Sequence, residues 1–191
     1  MSESITGRDP FNTSKAMRVL AFALLCFLIA APLRGQKEKR EPLTEAQQDQ
    51  VAEAGIDPVA RIDLYVKFLN EHADTIKGLI PRAHSSARNS RLENELEDFT
   101  ALMDELGDNL DLYSDRKADL RKSLKGLNEG VERWQQLLNS LPSEPAFEVA
   151  RKDALESSGD LSTQAKQITT DQDNYFKEHK DEKGQDRAEP K

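Results

Sequence analysis

From Leu92 to Leu141 apolar side chains recur at alternating steps of four and three residues without a change of phase: Leu92, Leu96, Phe99, Met103, Leu106, Leu110, Tyr113, Lys117, Leu120, Leu124, Leu127, Val131, Trp134, Leu138 and Leu141. Lys117 is the one polar member of the series. A seam of this kind keeps one face of a helix against a partner helix and cannot be satisfied by strands, whose side chains alternate with a period of two. It therefore predicts an all-α protein. Continuous phase favours one helix over about 87–141, on the order of 80 Å long at 1.5 Å per residue. The competing signals are Gly107-Asp108-Asn109 and Ser114-Asp115, which together resemble a stop followed by a new N-cap. They leave open an up-down four-helix bundle with a turn near 107–115.

Flanking segments complete the helical reading. Thr44-Glu45-Ala46-Gln47 has capping-box spacing and Gly55 a stop, so a short helix lies between them. Asp57-Pro58 is a strong helix start, because the carboxylate accepts the first free amides and proline presets φ. Behind it Val59, Ile62, Val66, Leu69, Ala73, Ile76 and Ile80 form a second seam, widened by Tyr65, Phe68 and Leu79. A last helix is expected over 144–179 with Ser143 as its cap; it carries Phe147, Ala150, Ala154, Leu161, Ala165, Ile168 and Tyr175. The expected architecture is an elongated antiparallel bundle, the long central helix flanked by two shorter ones.

The N-terminus has a different character. Val19 to Leu33 is an uncharged apolar run preceded by Lys15 and Arg18. At about 15 residues it falls short of the roughly 20 that span a bilayer and matches the apolar region of a secretory signal peptide. The expected division is a signal peptide over 1–35, with Met17 as an alternative start, a charged linker over 36–42, a helical domain over 43–179 and a disordered charged tail over 180–191. The expected location is exported, periplasmic or extracellular. The alternative keeps the apolar run as an uncleaved inner-membrane anchor.

Charge and motifs narrow the chemistry. Past residue 35 there are 23 basic and 33 acidic side chains, a net charge of −10, which argues against a nucleic-acid binder. The single cysteine, Cys26, lies within the apolar run, so the remainder has no disulfide or Cys-ligated zinc site. His72, His84 and His179 lack Glu-x-x-His and His-x-x-x-His spacing. Asp108, Asn109, Asp111 and Asp115 invite a calcium reading, yet Tyr113 stands where an EF-hand needs an oxygen ligand. Catalytic, cofactor-binding and metal residues are therefore not expected, and no cofactor is implied. The remaining candidates are Arg116, Lys117, Arg121, Lys122 and Lys125, a dense basic group suited to an anionic partner. The expected partner is another protein, or a second copy meeting the helix seams; membrane contact is expected only through an uncleaved N-terminal segment.

Overall fold

A computed structural model describes residues 41–182. The expected signal peptide, most of the linker, and the tail beyond residue 182 lie outside them. Five α-helices follow in order: α1 (Glu45–Glu53), α2 (Pro58–Leu79), α3 (Ser86–Asp115), α4 (Arg121–Ser140) and α5 (Glu148–Glu178), closed by a 3-10 turn at Lys180–Glu182. The all-α reading holds. The single helix over 87–141 does not: the chain turns at 116–120, so the long seam belongs to two helices.

The phase survives the turn because every seam residue except Lys117 faces one core. Leu92, Leu106 and Leu110 on α3 are fully buried, as are Leu120, Leu124 and Leu138 beyond the turn. A heptad reports which side chains point inward, not whether the backbone between them is continuous. Lys117 sits at the break, the only non-glycine residue described with positive φ, at 59°. Arg116 caps α3, and the amides of Lys117 and Ala118 donate to the carbonyls of Ser114 (3.0 Å) and Tyr113 (3.1 Å). That pair of bonds is a Schellman termination, normally built with glycine at the left-handed position. Gly107 stays inside α3, and Ser114-Asp115 closes a helix instead of opening one.

Contacts fix the packing. Tyr65 meets Glu105 and His72 meets Glu95, so α2 and α3 run antiparallel. Ser123 reaches Val59 and Trp134 reaches Asn70, making α4 parallel to α2. Ser157 and Gln164 reach Asp104 and Gly107, making α5 parallel to α3. Each of α2 and α5 packs on both α3 and α4, while α3 and α4 face each other across the diagonal. The turn at 116–120 therefore crosses the end of the bundle corner to corner. Near the bundle centre Phe99 of α3 and Trp134 of α4 meet edge to face, centroids 5.8 Å apart, and the buried indole N–H donates to Asn70 at 3.0 Å.

Local starts and stops follow the sequence in part. The Thr44–Gln47 capping box is formed, Gly55 takes φ 59° after α1, and Asp57 accepts from the amides of Val59 and Ala60. Two details differ. The α2 stripe centres on Ile62, Tyr65, Phe68, Leu69 and Ile76, leaving Val59 and Val66 half-buried, because α2 packs on both α3 and α4 and its buried face is wider than one seam. The last helix begins at Glu148 with Phe147 as its N-cap; Ser143 instead donates to the Glu148 carboxylate at 3.1 Å. The core cluster runs from Leu43 to Ile168, with Phe176 buried beyond it, so a fragment starting at Gln36 carries the whole described core.

Candidate functional site

The predicted basic group occupies the corner-to-corner turn and the first turns of α4. Arg116, Lys117, Lys122 and Lys125 are exposed, whereas Arg121 is half-buried and held in place. Its Nε and Nη2 donate to the two oxygens of Asp119 at 2.8 and 2.6 Å, and its guanidinium lies 4.6 Å from the Phe176 ring centroid. The Asp119 carboxylate raises the Arg121 pKa further, so the group is a fixed cation already paired. Lys117 Nζ sits 5.7 Å from the Tyr175 ring centroid. The structure thus brings the five residues to one end of the bundle. It also brings acids there: residues 53–61, 111–125 and 171–182 together hold eight basic and ten acidic side chains. The cluster is dense in sequence and close to neutral in space, which weakens any long-range pull on an anion.

Beneath that turn lies Gln172, buried on α5. Its Oε1 accepts the Leu120 amide at 2.8 Å and its Nε2 donates to the Ala118 carbonyl at 2.7 Å. One side chain thereby satisfies both polarities of a buried backbone crossing, as buried polar groups require. In sequence nothing local marks Gln172.

The aspartates considered for calcium lie on continuous helix, not in a loop. Asp108 and Asp111 line an open hollow of about 510 Å³ between α3 and α5, with Asp104, Ser157, Asp160 and Gln164. Gln164 Nε2 bridges the Gly107 carbonyl at 3.0 Å and Asp111 at 2.6 Å. Gly107 is therefore a close-approach position between two helices; a Cβ there would lie 3.1 Å from Gln164 Oε1. His72 Nδ1 lies 3.0 Å from Glu95 Oε2, both side chains mostly buried between α2 and α3. Leu43, Thr44 and Gln47 line a hollow with them. Among the described residues no group of three His, Cys, Asp or Glu side chains is placed to hold a metal ion.

A centre that the sequence did not announce lies at the opposite end. Arg88, with a side chain only 4% exposed, donates through Nη1 to Glu144 at 2.9 and 3.1 Å. Its Nε and Nη2 donate to the Leu79 and Ile80 carbonyls at 3.3 and 3.2 Å, and its guanidinium carbon stands 5.9 Å from the Phe147 ring. One cation thus caps the C-terminus of α2, where the dipole is negative, and ties down the loop leading into α5. The Arg88 bond pulls the Glu144 carboxyl below its usual range. Glu148 beside it, bonded by Arg151 and Ser143, drops from 4.5 to about 2. Comparison with family models, curated proteins and solved structures yields no match.

Proposed function

We propose that this chain is an exported helical scaffold or chaperone-like interaction protein of the bacterial cell envelope, acting by binding and not by catalysis. The observation that carries the reading is the pairing of a signal-like apolar run, Val19–Leu33 behind Lys15 and Arg18, with a helical bundle whose outer faces are crowded with charge. The heptad seams pack against one another within one chain, so a partner would meet the outer faces and not an open seam. Three large apolar side chains stand exposed among the described residues, Ile56, Leu112 and Val149. They offer isolated apolar tips within a charged surface, which suits a reversible protein contact. The partner is therefore proposed to be a protein recognised by charge and shape.

Crosslinking in intact cells followed by pull-down from the envelope fraction tests this reading. Recovery of a defined envelope protein supports it; recovery of the chain only from the cytoplasm, free of any envelope component, overturns it. A second reading, in which the apolar run remains as a membrane tether, rests on the poor cleavage context of Ala31 before Pro32. N-terminal sequencing of the mature chain separates the two, since an intact apolar run belongs only to the tethered form.

A further inference from the structure

The antiparallel packing gathers two distant sequence segments at one pole: the end of α2 with the loop into α3, and the end of α4 with the loop into α5. Arg88 physically joins them. Residues 77–92 and 138–153 hold six Lys and Arg against three carboxylates, Glu144, Glu148 and Asp153. The described chain as a whole holds 17 basic and 30 acidic side chains, so this pole carries +3 on a body that is otherwise −16. Two of the three acids are already bonded, Glu144 by Arg88 and Glu148 by Arg151. Lys77, Arg82, Arg91 and Lys152 are exposed, spread over the ends of three helices instead of lining a pocket. The tip between them shows Pro81, Pro142 and Pro145, and Val149 is 72% exposed.

We infer that this pole seats the bundle end-on upon an anionic lipid surface. Cations scattered over a convex end match a plane of many anions better than one bound ligand, and the apolar tip fits the headgroup boundary. The acidic flank selects between planes and threads. A soluble acidic polymer lying along the helices from the pole would run past Glu93, Asp153 and Glu156, whereas a plane touches the end alone. With α3 about 45 Å long, most of the acidic body stands several Debye lengths of roughly 10 Å from the lipid in the end-on pose. The described chain also begins close by, since Glu41 lines a hollow with Thr75 and Asp98, within two turns of the pole.

The test is co-sedimentation of the 36–191 fragment with vesicles of phosphatidylcholine alone or with roughly one-third phosphatidylglycerol. Binding is expected only to the anionic vesicles and is expected to vanish near 0.5 M salt, where the Debye length falls to about 4 Å. Replacing Arg82, Arg91 and Lys152 together by Glu is expected to lower partitioning by about a hundredfold or more, at roughly fivefold per basic residue lost. The charge-matched control Lys67→Glu, Lys166→Glu and Lys177→Glu is expected to stay within about threefold, because Lys67 and Lys166 lie on the flanks and Lys177 at the opposite end. Should the first variant melt below the parent, the neutral set Arg82→Gln, Arg91→Gln and Lys152→Gln reads the same effect. Absence of anionic-vesicle binding, equal loss in both charge-matched variants, or stronger binding to poly-aspartate than to vesicles each overturns the inference. Failure of the envelope pull-down would leave this vesicle result standing, so the two readings fall separately.

Discussion

Gln172 and Leu120 meet across 52 residues of sequence, the Leu120 amide donating to the Gln172 side-chain oxygen at 2.8 Å inside the core. The same amide side chain donates to Ala118, so the diagonal crossing of the bundle hangs on one residue. Removing it as Gln172→Leu leaves two buried backbone groups without partners, and the expected loss is about 2–4 kcal/mol. Gln172→Glu keeps the acceptor for Leu120 but sets a carboxylate against the Ala118 carbonyl, and is expected to be destabilising as well. Urea unfolding followed by circular dichroism measures both, and a Gln172→Leu midpoint equal to the parent's would remove the argument.

Lys117 occupies a left-handed backbone at the Schellman stop, where a side chain costs about 1–2 kcal/mol. Lys117→Gly relieves that strain, while giving up the Tyr175 ring contact and adding freedom to the unfolded chain. A net gain of about 0.5 kcal/mol is expected. Lys117→Ile, β-branched at the same φ, is expected to lose about 1 kcal/mol. If the order of the two variants came out reversed, the left-handed turn would be the wrong description of residues 116–118.

Two glycines one turn apart on α4 should respond oppositely to alanine. At Gly126 nothing lies within 4 Å of an added Cβ, so Gly126→Ala is expected to stabilise by about 0.8 kcal/mol through helix propensity. At Gly130 the added carbon would lie 3.0 Å from Trp134 Cζ2, in a ring wedged between Phe99 and Asn70. Overpacking there is expected to cost about 1–3 kcal/mol, more than propensity returns. Thermal melts of the two single variants decide the matter, since melting temperatures shifted in the same direction would contradict it.

Arg88→Ala deletes a buried cation that closes α2 and anchors the loop before α5; about 3 kcal/mol is the expected cost, read from denaturant titration. The neighbouring acids predict a pH dependence. Glu144 and Glu148 are both more acidic in the folded bundle than in an open chain, Glu148 at about 2. Their contribution is complete above about pH 5 and is lost as the pH falls toward about 2, because the unfolded chain then binds the protons more readily. In the double variant Glu144→Gln, Glu148→Gln the decline of stability on that acid limb should flatten; an unchanged slope would assign it to other carboxylates.

Much of this fold is legible in the chain. The Thr44–Gln47 box, the Gly55 stop and the Asp57-Pro58 start are local chemistry, complete within four residues, and they form where their spacing predicts. A break in the helix over 87–141 was legible as the four-helix alternative with a turn near 107–115; its place at 116–120 was not, because the termination uses Lys117 where glycine is usual. The Ser143 cap was displaced for a related reason: its hydroxyl is drawn to Glu148, itself bound by Arg151, leaving Phe147 as the first capping position. Among site candidates, the five basic residues at 116–125 were visible as a run with Asp115 and Asp119 interleaved, but most of the acids that neutralise them arrive from the end of α5 and the α1–α2 junction. The opposite pole shows the reverse, its cations thinly spread over two segments that only packing unites.

The sequence by itself determined that the chain is helical, which side chains of the long seam face inward, and where the helices capped by Thr44 and Asp57 begin, because each depends on a period or a bond spanning one helical turn. The tertiary structure alone decided that one seam serves two helices, that Gln172 carries their crossing, that Arg88 closes one end, and that the net positive charge gathers at that end. Apart from the local stop at Lys117, these rest on segments far apart in sequence, as Arg88 with Glu144 and Gln172 with Leu120, brought together by antiparallel helices whose order around the core is set by side-chain fit and not by local propensity.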